Sequence, residues 1–238
     1  MARAIVETPD QVDCDPVSRA LFDLSLVLSD EPWRFGAGEL EAGRAAGLSD
    51  AALLHAVVQS AYFNYLNRVA DATGIDFDYE SPLPRIPIDR ARDPHPRPPP
   101  AAWPRPPAVF ALADRPQTAE RFTAWRQLLF DRDQPLTRRD RRLVARAAAL
   151  ATCDAAGADA LATGEPTTPR EHALVAYADL LSRAPWRLGA ADLAPLRAAG
   201  LDDRALLDLI TVASFQNTAS RLTLAGVALD EGEAGSIA

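Results

Sequence analysis

The plainest pattern along the chain is helical. After Ser49, apolar side chains fall at Leu54, Val58, Ala61, Tyr65 and Val69, steps of three and four that share one helix face, and Gly74 supplies the stop. The same spacing recurs in PQTAERFTAWRQLLFD, through Phe122, Trp125 and Leu129. LTRRDRRLVARAAALATC predicts another helix, capped by Thr137 with Asp140 and carrying Cys153. Asp15-Pro16 and Thr168-Pro169 each read as an N-cap followed by proline at the first helical position, with Glu171 completing a capping box in the second. Each of these helices leads into a PWR-x-G turn and a short helix that ends at Gly47 or Gly200. A long helix then restarts at Ser49 or Asp202.

This order appears twice because the chain contains a repeat. Shifted by 153 residues, PWRFGAGELEAGRAAGLSDAALL falls on PWRLGAADLAPLRAAGLDDRALL without a gap, and 23 of the 57 pairs from Pro16/Pro169 to Ala72/Ala225 are identical. Each copy therefore predicts the same three helices. Between them, 11 of the 26 residues from Pro82 to Pro107 are proline, a composition that excludes regular structure and predicts an extended bridge. The expected organisation is a partial unit over 1–80, a linker over 81–106, and a fuller unit over 107–238 with two or three additional helices in front of its copy of the repeat.

Composition narrows the function classes. The net charge is −8 and every basic residue is arginine, interspersed with Asp and Glu as in RARD and RRDRR. No unopposed basic stripe exists, so nucleic acid is not expected as a partner. Two cysteines, Cys14 and Cys153, cannot build a disulfide framework or a zinc site, which fits a reducing cytoplasm. No segment has the pattern of a signal peptide or a run of about 18 apolar residues, so no membrane association is expected. His55, His95 and His172 are scattered without metal-ligand spacing, and no glycine-rich phosphate loop or nucleophile elbow is present. Neither a metal nor another cofactor is expected.

Four sets of residues remain as candidates. Cys153 reads either as a working thiol or as a small core residue. Placed deep in its helix, beside Asp154 and Asp159 and with Arg146 two turns back, it lacks the surroundings that lower a thiol pKa. Asn64 with Arg68, repeated as Asn217 with Arg221, lies at i, i+4 on an otherwise apolar helix, as either an anion pocket or a buried structural network. Trp33-Arg34 and Trp186-Arg187 recur in the turns, where packing is the default reading. Tyr62, Phe63 and Tyr65 become Phe215, Gln216 and Thr218, and that divergence marks where a ligand pocket or an asymmetric interface would lie.

AALLHAVVQSAYFNYLNRVADATGIDFDYE, and above all AYFNYLNRVADATG, resembles the C-terminal helix of the peroxidase-related branch of the carboxymuconolactone decarboxylase and alkylhydroperoxidase D superfamily. WRQLLFDRDQPLTRRDRRLVARAAALATC resembles the helices that precede and contain that family's redox centre. The resemblance implies an all-α helical bundle that assembles into homo-oligomers, with 107–229 as one nearly whole unit and 15–79 as the back half of another. It also implies that the two copies pack about a pseudo-twofold, internalising a contact that relatives make between subunits. The family's peroxide chemistry uses C-x-x-C, a following histidine and an earlier glutamate. Here Cys153 holds the first cysteine position, while Ala156 and Ala160 replace the second cysteine and the histidine, and Arg141 stands at the glutamate position beside Asp140. The expected function is therefore a divergent relative without dithiol activity, oligomeric or binding a small organic molecule. The alternatives are a decarboxylase-like enzyme working through Asn64, Arg68 or Asp140, and a one-cysteine peroxidase acting on a hydroperoxide through Cys153.

Overall fold

The computed structural model describes residues 12–75 and 89–229, and over these the chain is all-α. Copy one comprises α1 (Pro16–Asp30), α2 (Ala37–Ala45) and α3 (Asp50–Thr73). Then follow α4 (Pro116–Phe130), α5 (Arg138–Ala151) and the short α6 (Ala155–Ala160). Copy two comprises α7 (Pro169–Arg183), α8 (Ala190–Ala198) and α9 (Asp203–Leu224). In both copies a 3-10 turn over PWR joins the first two helices. Asp15, Ser49, Thr137, Thr168 and Asp202 cap their helices as the sequence predicts, each side chain accepting from a backbone N–H three residues on.

The core is built around α9, which packs on α3, α5, α7 and α4. Alanine lets α5 approach closely: Ala145, Ala148 and Ala149 are fully buried, and α5 lies against both α7 and α9. An aromatic cluster locks α4 onto the bundle, with Phe122 and Trp125 centred 5.0 and 4.7 Å from Phe215. Among the described residues neither α4 nor α5 has a counterpart packed on α3. Val212, Phe215 and Gln216 of α9 are accordingly buried, while their equivalents Gln59, Tyr62 and Phe63 on α3 are exposed. Beside Phe63 a groove of about 410 Å3 runs between α1 and α3, floored by Leu21, Ser25 and Ala56.

The stripe that α3 buries differs from the apolar one read from the sequence. Leu53, Leu54, Val57, Ala61, Asn64 and Arg68 are buried, whereas Val58, Tyr65 and Val69 are only partly so. The reason is α9, which packs on the face carrying the polar pair. The two copies meet reciprocally: α3 touches the PWR turn of copy two, and α9 touches that of copy one. That is the pseudo-twofold relation the repeat implied.

Over 89–109 the proline-rich bridge has no regular helix or strand apart from a turn at 89–92, closed by Arg92 N–H to the Asp89 carbonyl, and a 3-10 turn at Pro100–Ala102. It ends in β1 (Phe110–Ala111), paired in parallel with β2 (Val227–Ala228). Two-residue strands are too short to leave a periodic signal, so sequence reading missed them. Gly226, at φ +73°, makes the pairing possible, since a Cβ there would lie 2.8 Å from Val109 Cγ2. Among the described residues no helix is long and apolar enough to cross a membrane.

Candidate functional site

Where the two long helices meet, their polar pairs close into a ring. Arg68 Nη1 donates to Asn64 Oδ1 (2.8 Å), Asn64 Nδ2 donates to Ser29 Oγ (2.8 Å), and the Ser29 carbonyl accepts from Arg221 Nη2 (2.9 Å). The second half repeats the first. Arg221 Nη1 donates to Asn217 Oδ1 (3.0 Å), Asn217 Nδ2 to Ser182 Oγ (2.8 Å), and the Ser182 carbonyl accepts from Arg68 Nη2 (3.0 Å). Each arginine is thus oriented by its own helix and bonded to the other copy. Ser29 and Ser182 are identical at the repeat offset, a signal that sequence reading passed over.

The ring lies beside a cavity of about 220 Å3, lined by residues of both copies and roofed by the bridge. Arg68 and Arg221 contribute to its wall together with Arg92, Arg97 and Arg183, against two carboxylates, Asp30 and Asp71. Positive charge therefore accumulates at one point of a chain whose net charge is −8. Among the described residues no carboxylate lies within ion-pair distance of Arg68 or Arg221, and the Nε of each is buried without a hydrogen-bond partner. Burial depresses the Arg68 guanidinium to about 10, with Asp71 and Asp30 opposing from a distance. Arg221 is lowered as well, by burial first and by Arg68 second, with Asp30 opposing. A guanidinium stays charged at neutral pH. Burial pushes the Asp71 carboxyl up, with Arg68 and Arg90 opposing.

The turns and the bridge complete the walls. Trp33 and Trp186, equivalent in the repeat, both line the cavity. Around Trp186 the bridge is clamped: the indole N–H donates to the Arg92 carbonyl (3.1 Å), the Arg92 guanidinium sits 4.4 Å over the ring, and Arg187 bonds Asp93 (2.7 Å). On the copy-one side Arg34 instead pairs with Glu31 (2.6 Å), and His95 approaches the same Glu31 at 3.8 Å.

The structure separates the residues picked out by sequence. Asn64, Arg68 and Arg221 line the cavity, and Asn217 completes the ring behind it. Tyr62 does not line it. That side chain is 43 % exposed and takes part in an aromatic group with Tyr65 and Trp125. Asp140 is the reciprocal member of the α5 capping box and pairs with Arg170 (3.2 Å), a structural role. Arg141 is fully buried. It bonds the carbonyls of Leu129, Gln134 and Leu136 and pairs with Asp208, which fixes the α4–α5 connection.

Cys153 is not deep in a helix. Helix α5 ends at Ala151, Thr152 caps it, and Cys153 adopts a left-handed conformation (φ +62°) before Asp154 caps α6. Its side chain is fully buried. Burial raises the thiol to about 11, against the opposing pull of Arg97 and Arg183; Arg146 is engaged elsewhere, with Glu165. Cys14 is exposed. Among the described residues no cluster of His, Cys, Asp and Glu could hold a metal ion.

In comparisons with protein-family models, curated proteins and solved structures, nothing matches this chain. The fold and site define an all-α protein in which one helical unit and a partial copy of it share a buried arginine–asparagine ring beside a cationic cavity.

Proposed function

We propose that this chain is a divergent, dithiol-free relative of the carboxymuconolactone decarboxylase and alkylhydroperoxidase D superfamily, which holds a small molecule in the cavity between its two copies and does not reduce peroxide. The observation that carries the reading is the state of Cys153: fully buried, raised to about 11, with Ala156 and Ala160 where the resolving cysteine and histidine would stand. A peroxidatic cysteine needs a thiolate and access, and this one has neither. The uncovered face of α3, with Tyr62, Phe63 and Leu66 exposed, supports self-association of the chain.

The test is intact mass after brief exposure of the reduced protein to stoichiometric cumene hydroperoxide with a sulfenic-acid trap, beside Cys153→Ser. The expected result is no Cys153-dependent adduct. Rapid and complete labelling at Cys153 would overturn the reading and make the protein a one-cysteine peroxidase.

A further inference from the structure

Two guanidinium groups buried side by side need compensation. Arg68 is 6 % exposed and Arg221 1 %, and each is hydrogen-bonded only to neutral acceptors, one asparagine side chain and two backbone carbonyls. Asp30 and Asp71 act on them only from beyond ion-pair distance, and burying a cation with no carboxylate in direct contact is unfavourable. A second cation beside it adds repulsion. Packing alone does not call for this arrangement, since the aliphatic residues elsewhere on the α3–α9 contact fill it without charge. The wall sets five arginines against Asp30 and Asp71, so the natural compensation is an anion; the further cations on it are Arg183, whose Nε lacks a partner while its Nη1 lies 3.6 Å from Asp179, and Arg97 from the bridge, 3.7 Å from the same carboxylate.

The shape of the cavity narrows the anion. A volume of about 220 Å3 corresponds to about seven water molecules at about 30 Å3 each. That is more than an inorganic oxyanion fills, and it accommodates a charged group with an organic body the size of one aromatic ring. Trp33 offers that body an apolar wall, while Trp186 carries the Arg92 guanidinium over its ring. Arginine side chains present planar forks that match a carboxylate. We therefore propose that the cavity between the copies binds a small organic carboxylate, its charge set against the Arg68, Arg221 and Arg183 guanidinium groups and its body against Trp33. This rests on the reading of the cavity as a ligand site given above, and it adds the chemical class of the ligand.

The probes are benzoate, its neutral isostere benzamide, and inorganic phosphate, titrated into the full chain at constant ionic strength by calorimetry and by tryptophan fluorescence. Benzoate is expected to bind saturably and to change the fluorescence, with benzamide bound at least about tenfold more weakly, as the loss of one charge-assisted contact dictates. Arg183→Gln is partly exposed and outside the buried ring, so it should fold. It is expected to weaken benzoate by about tenfold and leave the Tm of the unliganded protein nearly unchanged. Equal binding of benzamide and benzoate would overturn the carboxylate assignment while leaving a ligand cavity in place. So would phosphate binding without benzoate binding, or benzoate binding unaffected by Arg183→Gln. If no probe binds, the proposal is wrong, and the Cys153 labelling experiment separately decides whether the reading beneath it also falls.

Discussion

Replacing Asn217 by leucine tests whether the ring is a closed unit. The side chain is fully buried and makes three hydrogen bonds, from Nδ2 to Ser182 Oγ (2.8 Å) and to the Ala213 carbonyl (2.9 Å) and from Arg221 to Oδ1 (3.0 Å). A bond to a charged group contributes about 1.5–3 kcal/mol and a neutral one about 1 kcal/mol, so the loss comes to about 3–5 kcal/mol. At about 2–4 °C per kcal/mol for a chain of this size, Tm falls by roughly 10 °C. Asn64→Leu removes the same set of bonds in copy one. Asn64, however, borders both the cavity and the α1–α3 groove, where water can replace the lost partner, and the expected cost is only about 1–2 kcal/mol. The double variant should cost less than the sum by about 1 kcal/mol or more, because Arg221 bonds the same Ser29 whose hydroxyl accepts from Asn64. The measurement is urea unfolding followed by tryptophan fluorescence, with far-UV circular dichroism to verify helix content. Additivity within about 0.5 kcal/mol would refute the closed ring, and equal costs in the two copies would refute the replacement by water at Asn64.

Other consequences are open to measurement. With its thiol raised from 9.0 to about 11, Cys153 should be alkylated at pH 8 about 100-fold more slowly than an ordinary cysteine from the thiolate fraction alone, and exposed Cys14 serves as the internal control. Comparable mass-resolved rates at the two sites would contradict the burial argument. Glu171 is held down to about 2, by the Arg139 side chain first and the Thr167 backbone second. The stability it contributes is present above its unfolded value of 4.5 and is lost as pH falls toward 2; Glu171→Gln should therefore flatten the acid limb of the stability curve, and an unchanged limb would count against the pairing. Gly226→Ala forces a left-handed alanine against Val109 and Pro107; about 1–3 kcal/mol of destabilisation is expected in thermal melts, with faster amide exchange at Val109 and Phe110. Phe63→Glu places a charge on the uncovered α3 face and should lower the oligomer mass in light scattering if that face mediates self-association; an unchanged mass would exclude it.

The helices were legible because their signals are local. Proline at the first position, the capping boxes at Thr137 and Thr168, and the stops at Gly47, Gly74 and Gly200 each act within one turn, and the structure places helix ends at them. The repeat was legible because identity at a fixed offset survives divergence. What could not be read was set by contacts distant in sequence. Tyr65 and Val69 look like core residues by periodicity, yet the presence of α9 turns the Asn64–Arg68 side of α3 inward instead. Cys153 looked interior to a helix because alanines surround it, while the chain leaves the helix there in a left-handed residue with no glycine to mark it. Arg97 and Arg183 gave no sign of joining a common cavity, since one comes from the bridge and the other from the end of α7.

A symmetric ring cannot by itself orient a ligand, since Asn64, Arg68 and Ser29 present on one side what Asn217, Arg221 and Ser182 present on the other. Direction comes from the positions at which the copies differ. The residue after the ring serine is Asp30 in copy one and Arg183 in copy two, and the position three beyond the ring arginine is Asp71 against Leu224. The bridge deepens the difference, because it adds Arg97 to the cavity and covers Trp186 with Arg92, while no cation covers Trp33 among the described residues. Carboxylate charge is thus favoured toward Arg183 and disfavoured toward Asp30, so a ligand has one preferred orientation in a site whose frame has two. Exchanging the charges, Asp30→Arg with Arg183→Asp, should preserve the net charge of the cavity and reverse that preference. A carboxylate probe carrying a fluorine label would report the reversal as a changed chemical shift at undiminished affinity. Loss of binding would mean that the Arg183 side supplies a contact of specific geometry as well as charge.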